Sequence, residues 1–151
     1  MKNILLIHGP NLNKLGNRNP DYYGNFTIYD VKQALELMIS EKTENNIFNL
    51  ISYQSNHEGN LIDFIQQESG NAVGAIINLG AFSHYSYALL DALLDSKLPV
   101  VEVHISDIKN REEWRQKSVT AEACISMISG KGIIGYQEAL NILFGSIKNA
   151  S

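Results

Sequence analysis

Cysteine is nearly absent from this chain, and so is any excess of positive charge. Cys124 is the single cysteine, so the chain can form no intrachain disulfide and contains no CxxC motif. The formal net charge is -4 at pH 7, which lacks the basic footprint of a nucleic-acid-binding protein, so we expect no nucleic-acid partner. The apolar run near the start covers only residues 4–7, too short for a signal peptide or a spanning helix. We therefore expect a cytoplasmic protein that does not associate with membranes.

Short apolar runs alternate with amphipathic segments along the whole chain. With 151 residues, 44% of them hydrophobic, we expect a single domain spanning residues 1–151. The apolar runs predict β-strands at residues 2–8, 47–53, 73–79, 99–104 and 123–129. Helical spacing predicts helices at 27–44, 56–69, 86–96 and 136–148, with Thr27 and Asp30 as a capping pair, and a helical turn at 110–116.

This alternation favours a parallel sheet covered by helices on both faces. Five strand–helix units predict an α/β fold, a flavodoxin-like three-layer sandwich with strand order 2-1-3-4-5. In such folds ligands bind beyond the carboxyl ends of the strands, where the strand order reverses. The segments that follow those ends here are residues 8–11, 78–80 and 104–106.

The fourth predicted strand carries an acid and an imidazole at its carboxyl end. Glu102 and His104 are two residues apart, so they point to the same side of the strand. Taken alone, His104 could be a structural histidine. The neighbouring carboxylate could hold its ring in one tautomer and favour the protonated form, as a general acid requires.

The connection from residue 9 to residue 26 is far longer than a usual strand-to-helix loop, and long loops are commonly lids or binding loops. It contains Arg18, Tyr22 and Tyr23. A free tyrosine is a poor base at neutral pH, but an arginine close by favours the phenolate. The residues alone do not decide which tyrosine would face a site.

Arginine is scarce, which draws attention to each position where it occurs. The chain has Arg18, Arg111 and Arg115, and the last two lie four residues apart just after the fourth strand. Their planar guanidinium groups suit a carboxylate or hydroxyl ligand, although Arg111 could equally belong to a solvated helical face.

Amides and a second imidazole complete the set. These residues follow strand ends and suit the recognition of hydroxyls or of an oxyanion: Asn11, Asn78 and His84. With a tyrosine base and a histidine acid, they are typical of proton abstraction next to a carbonyl, followed by loss of a protonated hydroxyl.

Five motifs resemble, in order and spacing, those of the type II 3-dehydroquinate dehydratases. They are HGPNLNKLGNRNPDYYG, SNHEGNLIDFI, INLGAFSHYSYALLDAL, VEVHISDIKNREEWRQKS and GKGIIGYQEAL. The resemblance covers nearly the whole chain. It implies reversible anti elimination of water from 3-dehydroquinate to give 3-dehydroshikimate through an enolate, in the shikimate pathway, with no cofactor and no metal.

The resemblance also implies a role for each matching residue. Tyr23, the tyrosine followed by glycine, would be the base, activated by Arg18, and Asn11 would help to stabilise the enolate. His104 would protonate the leaving hydroxyl with support from Glu102. The remaining residues would hold the substrate: Asn78, His84, Ile105, Ser106 and Arg115. The family assembles as dodecamers, tetramers of trimers, in which the residue matching Asp91 reaches a neighbouring subunit's site.

Three rival functions are weaker. A phospho-receiver or FMN-binding module would need clustered acids or a Ser/Thr-rich loop where this chain has HGPN. A metal enzyme could use His8, His84 and His104, but no carboxylate ligand stands at a matching spacing. A Schiff-base lyase would need a lysine at the end of a buried strand, and none occurs there.

Overall fold

The computed structural model describes residues 1–44 and 47–150, so residues 45, 46 and 151 of the expected domain range lie outside the described residues. The strands are β1 (Lys2–His8), β2 (Phe48–Gln54), β3 (Ala72–Asn78), β4 (Val100–His104) and β5 (Ser126–Ser129). The helices are α1 (Pro20–Tyr23), α2 (Ile28–Lys42), α3 (Glu58–Glu68), α4 (Tyr87–Ser96) and α5 (Ile133–Ala150). No helix in these ranges is both long and apolar enough to cross a membrane.

All five strands run parallel in the order β2-β1-β3-β4-β5, which confirms the predicted fold. The register brings the last residues of the central strands side by side. His8 at the end of β1 pairs with Gln54 on one flank and with Asn78 on the other. The polar residues that end these strands therefore share one edge of the sheet.

Two apolar layers cover the sheet, because alternate residues of the central strands point to opposite faces. On one face Ile4 and Leu6 pack with Val31 of α2 and Leu140 of α5. On the other face, side chains of the same strand pack with residues of α3 and α4: Leu5, Ile7, Leu61, Ile65, Leu89 and Leu93. Successive apolar side chains of β1 thus point alternately to the two helical layers, which gives a three-layer sandwich.

The predicted capping pair is confirmed. Thr27 accepts a hydrogen bond from the Asp30 backbone N–H, and the Asp30 carboxylate accepts one from the Thr27 backbone N–H. Two backbone donors that a helix start leaves unpaired are satisfied in this way.

The largest differences from the predicted boundaries occur at three places. The last helix begins at Ile133, three residues early, and its Gly135 lies close to the sheet: a Cβ there would be 3.3 Å from Val103 Cγ1. The fifth strand starts only at Ser126, since Thr120–Ala123 forms a 3-10 turn. The predicted turn at 110–116 is divided between two 3-10 turns, Ile108–Asn110 and Glu113–Arg115.

Candidate active site

A pocket lies at the carboxyl edge of the sheet, between the loops that follow β1, β3 and β4. Eight of the predicted site residues line it: Asn11, Arg18, Tyr23, Asn78, His84, Ile105, Ser106 and Arg115. Pro10, Leu12, Gly80, Ala81 and Ile108 complete the wall. Glu102, His104 and Asp91 are not part of this lining. The structure thus brings together most of a set that is scattered over about 100 positions of the sequence.

The loops after β1 and β3 approach each other closely. The Gly9 N–H donates to the Asn78 carbonyl over 2.8 Å. A Cβ at Gly9 would lie 2.3 Å from the carbonyl oxygen of Leu79, so only glycine fits there. This contact sets Asn11 and Asn78 on the same side of the pocket.

Asn11 stands in a left-handed conformation, with φ of 67°, which is uncommon for a residue with a side chain. Its backbone N–H donates to Asn56 Oδ1 over 3.0 Å, and the Gln54 side chain donates to the same oxygen over 3.1 Å. Asn56 is a residue that the sequence reasoning missed, although it lies in the quoted SNHEG motif. It stabilises the backbone geometry that presents Asn11 to the pocket.

The long loop places Tyr23 in the pocket through the short helix α1. Asn19 caps this helix by accepting from the Asp21 N–H, and Pro20 occupies its first position. The helix ends at Gly24, whose φ of 67° turns the chain away. Tyr23 is 9% exposed and Tyr22 is 43% exposed, so of the two neighbours Tyr23 is the one that turns inward.

Two arginines contact the Tyr23 ring and hydroxyl. The Arg18 guanidinium carbon lies 3.7 Å from the ring centroid. Arg111 Nη1 donates to the Tyr23 hydroxyl over 3.1 Å and to Ser106 Oγ over 3.1 Å. The Tyr23 hydroxyl therefore lies in the pocket with two cationic side chains against it, an arrangement that suits a tyrosine acting in proton transfer.

The arginines also influence one another. Partial burial lowers the pKa of Arg18, with the charges of Arg115 and Arg111 acting in the same direction and that of Tyr23 opposing them. Burial also opposes the charge of Arg111, but its hydrogen bond to Tyr23 and the nearby charges of Tyr23 and Glu112 raise its pKa overall. Three clustered guanidinium groups make this end of the pocket a site for negative charge.

Arg111 is therefore a candidate functional residue whose role the sequence left open. The residues alone could not separate a ligand contact from a solvated helical face, because Glu112 and Glu113 directly after Arg111 could pair with it. In the structure Arg111 lies between the Tyr22 and Tyr23 rings, and its side chain is 7% exposed. Its Nε is the one buried side-chain nitrogen or oxygen without a hydrogen bond in the described part of the chain.

Glu102 and His104 form the buried pair that their spacing predicted. His104 Nε2 donates to Glu102 Oε2 over 2.7 Å, and Glu102 is fully buried. Ser118 donates to the same carboxylate over 2.6 Å, and Thr120 donates to its other oxygen. Burial alone would raise the pKa of Glu102, but these hydrogen bonds and the His104 charge lower it below the usual 4.5. Glu102 thus remains an anion that orients the His104 ring.

The His104 ring lies behind His84, with 5.9 Å between their centroids. His84 Nδ1 donates to the Lys117 carbonyl over 2.7 Å, and the exposed Trp114 packs edge-on against the His84 ring. Burial, together with the charges of His104 and Arg115, lowers the pKa of His84 despite the Lys117 bond. Neutral His84 therefore offers Nε2 as an acceptor at the pocket wall.

The remaining predicted residues are placed as follows. Arg115 stacks on Trp114, with its guanidinium carbon 4.0 Å from the ring centroid, and pairs with Glu112. Asp91 is exposed on α4. Among the described residues no group of three or more His, Cys, Asp or Glu side chains could hold a metal ion. His8, which the metal hypothesis would need beside the other histidines, instead contacts Tyr136.

Comparisons with known proteins agree with these observations. Residues 2–144 match the family described as "Dehydroquinase class II". A 3-dehydroquinate dehydratase from Prochlorococcus marinus (strain MIT 9301) is 47% identical, over 99% of this chain and 100% of its own length. One from Clostridium botulinum (strain Hall) is 46% identical over 97% of both chains. The crystal structure of type II dehydroquinase from Butyrivibrio crossotus superposes with a TM-score of 0.87, at 42% identity, covering 95% of this chain and 97% of that one.

Proposed function

This chain belongs to the class II dehydroquinase family, and on that premise we propose that it removes water from 3-dehydroquinate to give 3-dehydroshikimate in the shikimate pathway. The activity places it among the hydro-lyases. The observation that carries the proposal is the buried Tyr23 phenol, which lines a pocket of amides and an imidazole and is contacted by Arg18 and Arg111.

In the proposed mechanism Tyr23, as the phenolate, takes a proton from the carbon next to the substrate carbonyl. The electron pair of the broken C–H bond moves into the carbonyl to form an enolate, which Asn11 helps to stabilise. A phenolate needs nearby positive charge at neutral pH, and Arg18 and Arg111 supply it.

In the second step the enolate collapses and the C–O bond to the hydroxyl on the next carbon breaks. His104 donates the proton that lets this group leave as water on the face opposite to Tyr23, an anti elimination. Its Nε2 is committed to Glu102, so Nδ1 is the nitrogen that serves the leaving group, directly or through a bridging water. The same steps in reverse hydrate the product.

We assign substrate binding to the polar groups of the pocket wall. Arg115 suits the substrate carboxylate, and Asn78 and His84 suit its hydroxyls. The Ile105-Ser106 segment follows β4 directly and lines the pocket. We assign further substrate contacts to its backbone N–H groups.

The expectation of one catalytic domain over residues 1–151 and of a cytoplasmic location remains a prediction. So does the homododecamer, a tetramer of trimers, in which Asp91 completes a neighbouring subunit's site. It is supported by the exposed face of α4, where Tyr87 and Leu94 are 62% and 52% exposed on the helix that carries Asp91. Light scattering that gives a monomer at assay concentration would contradict it.

An absorbance assay for the conjugated enone product tests the function directly. Wild type should convert 3-dehydroquinate, and Tyr23→Phe should lose nearly all turnover while its circular dichroism spectrum is retained. Tyr22→Phe is the matched control and should keep wild-type turnover, because the neighbouring ring stays in place. Wild-type turnover by Tyr23→Phe would show that another group is the base.

A further inference from the structure

A chain of hydrogen bonds runs from the pocket into the core through three buried side chains. Asn78 Nδ2 donates to the Tyr136 hydroxyl over 3.0 Å, and that hydroxyl lies 3.0 Å from His8 Nε2. Asn78 is 3% exposed, Tyr136 is fully buried and His8 is 1% exposed. His8 and Asn78 pair across β1 and β3, and Tyr136 reaches them from α5. Only Asn78 lines the pocket, and the proposed chemistry does not use the other two.

One arrangement of donors and acceptors gives the buried Tyr136 hydroxyl proton a hydrogen-bond partner. The Gly80 N–H donates to Asn78 Oδ1 over 3.2 Å, so the amide nitrogen is the atom that faces Tyr136. The Tyr136 hydroxyl accepts from Asn78 and has one proton of its own to donate. His8 Nε2 is its acceptor, so His8 carries its proton on Nδ1.

The electrostatics support this arrangement. Burial lowers the pKa of His8 to about 3, so its ring is neutral at physiological pH and Nε2 can accept. Burial also raises the pKa of Tyr136 despite the bond from Asn78, so the hydroxyl keeps its proton. His8, Tyr136 and Asn78 are therefore all uncharged between weakly acidic and alkaline pH.

The orientation of the Asn78 side-chain amide follows from these hydrogen bonds. Its amide nitrogen has two hydrogens, and Tyr136 takes one of them. A flip of the amide would break the bond from the Gly80 N–H, and it would also break the bond to Tyr136 as long as the Tyr136 hydroxyl donates its proton to His8. We propose that His8 and Tyr136 are positioning residues for the dehydration, which lock Asn78 as an N–H donor toward a substrate oxygen. This inference rests on the proposed function and deepens it, since it states which substrate atoms Asn78 can bind.

A structural role alone would not require these polar atoms. Phenylalanine has nearly the shape of Tyr136, and a buried hydroxyl weakens folding unless it is paired. Because the Tyr136 hydroxyl and the His8 imidazole are hydrogen-bonded to each other, the Asn78 amide is the one group of these three that faces the pocket.

The test is Tyr136→Phe, with Tyr53→Phe as the matched control. Tyr53 stacks on Phe64 outside the pocket, and its replacement should leave kcat/KM unchanged. Tyr136→Phe should lower kcat/KM about tenfold, the value of roughly one hydrogen bond. In an Asn78→Ala background the same change should alter kcat/KM by less than about twofold, because the amide it positions is gone. An equal loss in both backgrounds would mean that Tyr136 does not act through Asn78.

A second pair of variants keeps the inference testable if Tyr136→Phe folds poorly. His8→Gln places an amide acceptor near the position of Nε2, whereas His8→Leu places none. His8→Gln should keep kcat/KM within about threefold of wild type, and His8→Leu should fall as Tyr136→Phe does. Equal activity of the two variants would overturn the inference.

A readout without substrate separates this inference from the function. Long-range proton–nitrogen NMR spectra of the histidine rings should show His8 with its proton on Nδ1, and should show the Nε2 signal shifting in Tyr136→Phe. A proton on Nε2 would overturn the inference even if the enzyme is active. If instead wild type does not convert 3-dehydroquinate, the proposed function and the role inferred here both fail, while the NMR result still decides the hydrogen-bond chain.

Discussion

Replacing His8 with glutamine should make the protein more resistant to acid. The imidazole is 1% exposed, and burial lowers its pKa to about 3 from the usual 6.5. Between these values the unfolded chain binds a proton that the folded chain does not, so the free energy of unfolding falls as the pH falls. The loss is about 1.4 kcal/mol per pH unit below 6.5, which amounts to about 2 kcal/mol at about pH 5. His8→Gln has no such proton to bind.

Urea denaturation followed by circular dichroism, at one protomer concentration and at about pH 7.5 and about pH 5, measures the effect. Wild type should lose about 2 kcal/mol more than His8→Gln between the two conditions. His57→Gln is the control, because that side chain is exposed, and it should lose as much as wild type. If wild type and His8→Gln lose equal amounts, His8 is not held neutral in the fold and the reasoning fails.

Three further predictions concern the site. Arg18→Ala and Arg111→Ala each remove a cation beside the Tyr23 side chain, so the pH dependence of kcat should move to higher pH. An unchanged profile would refute the proposed activation of Tyr23. Glu102→Gln should lower kcat roughly tenfold or more. The lowered pKa of Glu102 stabilises the fold above about pH 4.5, and this stability is lost at lower pH, so the variant should lose less stability than wild type on acidification. Asn56→Ala removes the acceptor for the Asn11 N–H and should lower stability by about 1 kcal/mol, measured by urea denaturation, whereas Asn56→Asp should retain it.

Local sequence patterns predicted most of the architecture. The apolar runs predicted the five strands because a strand covered on both faces is apolar throughout. Their order was predicted from the flavodoxin-like architecture that five alternating strand–helix units favour. The errors lie where local preference and packing disagree. Glycines before Tyr136 have low helix propensity, yet α5 begins at Ile133, and its Gly135 packs closely against Val103 and Ile128.

The site was predictable to the extent that it lies at strand ends. Glu102 and His104 share a face because strand geometry has a period of two, and the structure places their side chains 2.7 Å apart. The residues alone did not indicate which of Tyr22 and Tyr23 faces the site. The family resemblance indicated Tyr23, and the burial of Tyr23 agrees with that prediction.

Sequence by itself determined the alternation of elements, the polar ends of the strands and the family motifs, because each depends on neighbouring residues. Only the tertiary structure decided how distant side chains pair. Arg111 meets Tyr23 across 88 positions of the chain, and His8 meets Tyr136 across 128. Such pairs form only when helices and loops close over the sheet edge and remove water from polar groups, which must then find partners in one another.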